Sequence, residues 1–257
     1  PQQDSFYSKV CEFHLGDMEE KKESVHKEED IEISELIGDG YFGKTYKVKL
    51  KKENPGQKLD DRWLALKIPY KGSLEEHENE IAVLMKITGH ENVIQFRGVV
   101  SLKSGFQGYL VDHCDLGRLD TLHEKFDLSD KKVFFSIARG LFLGLNHLHT
   151  AKIIHRDIAC RNILVGKDWQ VRIGSFGLSV MAPTGGCPMS FNERLPWPWM
   201  SPETLRDKMY TFKSDVWSAG VALWEVLCKG NLPYADNRKL PPSSDVIPKI
   251  ISGSECL

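Results

Sequence analysis

Eight consecutive residues, His155-Arg156-Asp157-Ile158-Ala159-Cys160-Arg161-Asn162, constrain this chain more than any other stretch. They gather one carboxylate, two guanidinium groups and one carboxamide between a long apolar-periodic run ending at His149 and a short apolar run, Ile163 to Val165. The long run places Val133, Ile137, Leu141, Leu145 and Leu148 at spacings of three and four, which predicts a core helix from Asp130 to His149. A polar cluster between two buried elements is where a rigid scaffold displays chemistry, whereas a single Asp or Asn in a loop is more often a turn or cap residue. His147 and His149 lie two apart and point to different helix faces, so they are not expected to form a metal pair.

Size and charge narrow the classes. The 257 residues can bury one large domain or two lobes, and 41% hydrophobic with 27% charged residues is the makeup of a soluble globular protein. Lys and Arg total 34 against 36 Asp and Glu, so the basic footprint of a nucleic-acid partner is missing. Cys11, Cys114, Cys160, Cys187, Cys228 and Cys256 follow no regular spacing and form no C-x-x-C pair, which favours a reducing, cytoplasmic setting over disulfides or structural metal. No run of about 18 apolar residues is present to span a bilayer. The chain starts at Pro1 without Met and is expected to be a fragment or processed form, including the intracellular part of a longer, membrane-anchored protein.

Residues 1–30 are rich in Glu and Lys and lack an apolar period, which reads as a solvated linker. Ile31, Ile33, Leu36 and Ile37 then lead into Gly38-Asp39-Gly40-Tyr41-Phe42-Gly43, and Tyr46, Val48 and Leu50 alternate with lysines beyond it: strand, glycine-rich turn, strand. Such a turn is either a bare hairpin or a phosphate cradle, because glycines let backbone N–H groups approach an anion closely. The second strand, where a dinucleotide fold would have a helix, points away from that fold. Residues 51–61 read as a polar hairpin connection, Trp63 to Ile68 as a strand carrying Lys67, Leu74 to Ile87 as an acidic helix carrying Glu80, and Val93 to Val100 and Phe106 to Val111 as further strands.

Taken together, these phrases resemble protein kinases. His155 to Asn162 is similar to the catalytic loop H-R-D-L-x-x-x-N, Gly38 to Gly43 to the kinase glycine-rich loop, and Leu64 to Lys67 to V-A-I-K. His90-Glu91-Asn92-Val93-Ile94 is similar to H-P-N-I-V, Asp112 to Leu119 to the hinge, and Arg194-Leu195-Pro196-Trp197-Pro198-Trp199-Met200-Ser201-Pro202-Glu203 to the tyrosine-kinase peptide-binding segment ending in A-P-E. Ala159 with Arg161 resembles the H-R-D-L-A-A-R-N form of tyrosine kinases, and Asp215 to Gly220 the buried helix whose Asp braces the catalytic loop.

The resemblance implies an α+β, bilobal fold, with a small antiparallel-sheet N-lobe bearing one helix (31–114) and a mainly helical, partial C-lobe (115–257) whose final helices are missing. It implies ATP and magnesium as cofactors, and a protein substrate or regulatory protein as partner. Asp157, Arg161, Asn162, Lys67 and Glu80 would be catalytic. Asp157 would accept the hydroxyl proton, Lys67 would hold the α- and β-phosphates, Glu80 would orient Lys67, and Asn162 would ligate magnesium. Nucleotide would be held by Ile37, Gly38, Asp39, Gly40, Tyr41, Phe42, Gly43, Lys44 and Thr45, by Ala65 and Lys67, by Val111 as a small gatekeeper with Asp112 and Cys114 of the hinge, and by Leu164. Thr45 stands where the family has Val, a nearly isosteric change.

One departure is chemical. Eighteen residues after Asp157, where D-F-G carries the second metal-binding Asp, the chain reads Ser175-Phe176-Gly177. A hydroxyl is a weaker, uncharged ligand for magnesium than a carboxylate. Three readings follow: a catalytically impaired kinase domain that binds ATP and signals by conformation or contacts, an active tyrosine kinase with an unusual metal arrangement, and a nucleotide-free interaction module. Between Leu178 and Met200 there is no tyrosine, so Ser179, Thr184 and Ser190 are the phosphorylation candidates there, with Arg156 as the partner of such a phosphate or as a structural arginine.

Overall fold

The computed structural model describes residues 25–51, 62–183, 185–189, 196–236, 239–255 and 257. The described residues divide into two compact units, one drawn from residues 1–89 and 94–113, the other from 90–93 and 114–257.

The first unit is a sheet and one α-helix. Strands β1 (Val25–Lys27), β2 (Ile31–Asp39), β3 (Gly43–Leu50), β4 (Leu64–Pro69), β5 (Phe96–Ser101) and β6 (Gln107–Asp112) lie in the order β1-β5-β6-β4-β3-β2. All neighbours are antiparallel except β1 and β5, which run parallel with Val25 opposite Val99. Alternation along the strands sends Ile31, Val48, Leu64, Leu66, Val100 and Leu110 into one apolar cluster. The register puts Thr45 opposite Lys67, Lys67 opposite Tyr109 and Ala65 opposite Val111, so these side chains share the other face. Helix α1 (Leu74–Ile87) buries Ile81, Leu84 and Met85 as its periodicity predicts, and also His77 and Glu80.

Two expectations change here. The solvated linker gives way at Val25, because Val25–Lys27 pairs with β5 and covers an edge that would otherwise expose unpaired N–H and C=O groups. His26 is buried there, which lowers its pKa. The strand expected over Val93 to Val100 is Phe96–Ser101 instead. Residues 90–93 belong to the second unit, where Asn92 Nδ2 donates to Val171 O (2.9 Å) and Val93 bridges Ile173. The linker over residues 1–24 and the connection over 52–61 lie outside the described residues.

The second unit is mainly helical. Helix α2 (Lys131–Thr150) is the predicted core helix, with Ile137, Leu141, Leu145 and Leu148 buried, and Asp130 caps it by accepting from Lys132 N and Val133 N. Strands β7 (Gly117–Arg118), β9 (Ile163–Val165) and β10 (Val171–Ile173) form a small sheet in the order β10-β9-β7. Two-residue strands β8 (Ile153–Ile154) and β11 (Val180–Met181) pair, as do β12 (Cys187–Pro188) and β13 (Met209–Tyr210). Helices α3 (Pro202–Asp207), α4 (Phe212–Leu227) and α5 (Ser243–Ser252) complete it. Helix α4 starts ahead of Asp215 because Ser214 Oγ accepts from Thr211 N (3.1 Å) at its N-terminus. The apolar run Val246 to Ile251 is α5, which buries Val246 and Ile250 with Met200, Leu205 and Tyr210. Among the described residues no helix is long and apolar enough to cross a membrane.

Close contact between α2 and β10 depends on glycine. A Cβ on Gly144 would lie 2.6 Å from Asn92 O and 2.9 Å from Ile173 Cδ1, and neither backbone nor packed isoleucine can yield that much. Gly144→Ala is therefore expected to destabilise the protein by about 1–3 kcal/mol, read as a lower urea midpoint at unchanged slope.

Candidate active site

The loop between β8 and β9 is shaped by one buried carboxylate. Asp215, at the start of α4 and 1% exposed, accepts from His155 N and Arg156 N (2.9 Å each) and pairs with His149 Nε2 at 3.0 Å. These bonds hold Arg156 in the left-handed region, φ 69°, a costly conformation for a non-glycine residue that turns the chain sharply before Asp157. His155 Nε2 meets Gly174 O (3.0 Å) and its Nδ1 accepts from Asp157 N (3.2 Å), so the imidazole ties the loop to the segment before Ser175.

Asp157, Arg161 and Asn162 come together as expected. One carboxylate oxygen of Asp157 accepts from Arg161, and the other from Asn162 Nδ2 at 2.7 Å. Asn162 Nδ2 also donates to Asp157 O (2.7 Å), which leaves Oδ1 as the oxygen aimed elsewhere. The Arg161 guanidinium stacks 4.3 Å over the Trp199 ring, whose Nε1 donates to Glu225 Oε2 (2.7 Å). Glu225 also accepts from Cys160 N (3.1 Å), and burial raises its pKa against the pull of these bonds. Burial, with Glu225 beside it, pushes the Cys160 thiol well above its usual range, so it stays a neutral donor to Ala222 O.

Ser175 follows directly. Gly174 N donates to Asn162 O (3.0 Å), Ser175 sits exposed at φ 62°, and Phe176 is fully buried against His155, 5.0 Å between ring centroids. Ser179 is buried and donates to His155 O (3.3 Å), so as a phosphorylation candidate it is corrected: a modifying enzyme has no access to it. Thr184, Ser190, Arg194 and Leu195 lie outside the described residues. Arg156 lies 4.8 Å over the Tyr210 ring with Cys187 Sγ at 3.8 Å.

The first unit carries its own cluster. Lys67 Nζ is 2.6 Å from Glu80 Oε2, and Glu80 is 2% exposed. Tyr109, missed by sequence reasoning, hydrogen-bonds Glu80 through its hydroxyl and lies 5.8 Å under the Lys67 ammonium; burial, then Glu80, raises its pKa well above the usual value. His77, also missed, packs 5.0 Å from Tyr109, and burial lowers its pKa to about 4. Only its place one turn before Glu80 on the same helix face could have flagged it. Along the glycine-rich turn, Gly40 N donates to Gly43 O (3.0 Å), and Gly43 passes so close to β4 that a Cβ would lie 2.1 Å from Ile68 O. Ile37, Asp39 and Tyr41 are exposed, Ala65 and Val111 buried. The Asp112 carboxylate is held by Arg97 (2.9 Å), while Asp112 N donates to Gln95 O and His113 N to Trp63 O, so neither N–H is available to an adenine. Cys114 (buried) and Leu164 (half-buried) belong to the second unit, with Asp157, Arg161 and Asn162.

A clamped ammonium with a glycine-rich turn fits nucleotide phosphates. The magnesium donors fit poorly: Asn162 Oδ1, one carboxylate already bonded on both oxygens, and a serine hydroxyl. Among the described residues no group of three or more His, Cys, Asp or Glu gathers as a metal site.

Lys67 is thus paired with a helix glutamate in the first unit, and Asp157 is bonded to Arg161 and Asn162 in the second. Residues 31–253 match the family described as protein tyrosine and serine/threonine kinase, and the chain belongs to it; its sheet-and-helix first unit and helical second unit are the α+β fold of that family. It is 32% identical to chicken ephrin type-B receptor 1 over 237 residues (87% of this chain, 23% of that protein). It is also 32% identical to chicken ephrin type-B receptor 5 over 214 residues (80% and 21%) and to zebrafish angiopoietin-1 receptor over 228 (80% and 19%). The chain thus spans about a fifth of the length of the curated relatives it matches.

His77 makes stability pH-dependent. Above pH 6.5 it is neutral both folded and unfolded; as pH falls toward about 4 the unfolded chain takes the proton first, and stability is lost. The urea midpoint of the wild type should fall across that window, and that of His77→Phe should fall less; equal slopes would remove His77 from the account.

Proposed function

We propose that this chain is a tyrosine-kinase-like domain that binds ATP through Lys67 and the glycine-rich turn, transfers phosphate to protein poorly, and signals through conformation or protein contacts. The observation that carries this is Ser175, an exposed, uncharged hydroxyl next to Gly174, whose N–H donates to Asn162 O. Losing one preorganised electrostatic stabiliser costs on the order of 100- to 1,000-fold in turnover, and a metal carboxylate belongs in that class. Asp157 keeps its Arg161 and Asn162 partners, so the base is held while charge neutralisation is weakened. Cytoplasmic placement within a longer protein agrees with the ephrin and angiopoietin receptor relatives and with this reading.

A second reading, an active protein-tyrosine kinase, draws on the intact Lys67–Glu80 pair, since that contact has to be in place for transfer. One series separates the two. Thermal shift with ATP, with and without magnesium, should show binding with little metal dependence; no shift under either condition would sink nucleotide binding. Single-turnover transfer to a tyrosine peptide should then be slow in the wild type, rise about 100-fold or more in Ser175→Asp, and vanish when Asp157→Asn is added. A fast wild type that gains little from Ser175→Asp establishes the second reading.

A further inference from the structure

The glycine-rich turn contains an anion of its own. Asp39 stands between Gly38 and Gly40, in the stretch that would receive polyphosphate, and a carboxylate there opposes the ligand. The structure gives that carboxylate a partner outside the turn. Tyr70, the residue after β4, donates its hydroxyl to Asp39 Oδ1. The same residue's N–H donates to Phe42 O at 3.0 Å, so Tyr70 grips the turn at two points, one on each side of Gly40. Its C=O in turn accepts from Ser73 N (2.9 Å), the residue leading into α1, which anchors the grip. Lys44, opposite Asp39 in the β2–β3 ladder, is the nearest cation by register, and the structure shows the aspartate bonded to the phenol.

We infer that Tyr70 is a positioning residue for the glycine-rich turn: its hydroxyl draws the Asp39 carboxylate back toward the end of β4, so that the turn presents its backbone to a phosphate without its own negative charge in opposition. The inference rests on the proposed ATP binding for its ligand, and on geometry alone for the grip. Tyr70 is 39% exposed; a phenol is protonated at neutral pH, and the bond to Asp39 raises its pKa further, so the donor persists. Nothing but this hydroxyl distinguishes Tyr from Phe, which makes the residue separable from packing: Tyr70→Phe retains the ring and the main-chain bond to Phe42.

The test uses ATP and adenosine as probes on the full chain. Tyr70→Phe should weaken ATP about 3- to 10-fold, the scale of one unit charge a few ångströms from another in a partly aqueous site, with adenosine affinity unchanged. In the Asp39→Asn background, whatever its own ATP affinity, adding Tyr70→Phe should have no further effect. Equal weakening of ATP and adenosine, or a Tyr70→Phe penalty that persists in Asp39→Asn, overturns the inference. Hydrogen exchange of the amides at 38–43 reads the grip without any ligand and should be faster in Tyr70→Phe. If wild type binds neither ATP nor adenosine, the proposed function fails while exchange still decides the grip; unchanged exchange overturns it.

Discussion

The second unit depends on Asp215. A carboxylate buried this completely is tolerable only with its lone pairs occupied, and here His155 N, Arg156 N and His149 Nε2 occupy them. The bonds run both ways in consequence. They keep an ionisable group inside the protein, and they hold Arg156 in a left-handed conformation that no local preference of arginine would choose. Asp157 emerges from that turn with its carboxylate already set between Arg161 and Asn162. Helices α2 and α4 and the loop between β8 and β9 therefore meet on a single side chain.

A similar economy governs the first unit. Glu80 is nearly inaccessible, yet it accepts from both Lys67 and Tyr109, which satisfies it without water. His77, beside Tyr109, is kept neutral by burial, although its Nε2 is buried without a hydrogen-bond partner. The sheet register that puts Lys67 opposite Tyr109 assembles the cluster from two strands and helix α1. In the second unit Phe176 is buried beside His155, and the backbone turns at Ser175 with a positive φ.

Local chemistry made much of this legible. The period of 130–149 gave the core helix, Asp130 supplied its cap, and the spacing of Lys67, Glu80, Asp157 and Asn162 carried the resemblance that the family match then confirmed. What stayed hidden has a common cause. Tyr109 reads as one more aromatic strand residue, His77 as one of several polar residues on an acidic helix, and Glu225 as a charge on an apolar helix; each acquires its role from a partner distant in sequence. Val25–Lys27 is too short and too surrounded by charge to announce a strand, and only the open edge of β5 makes it one.

The amino-acid sequence by itself determined the family, the core helices and the serine at position 175, because side-chain identity and hydrophobic period are local properties. Tertiary structure decided which groups are satisfied and which are exposed. Asp215 reaches back 60 residues to His155, Glu225 reaches 65 to Cys160, and Tyr70 reaches 31 to Asp39. Hydrogen bonds of that reach depend on where packing brings the backbone, and no short-range pattern encodes their partners.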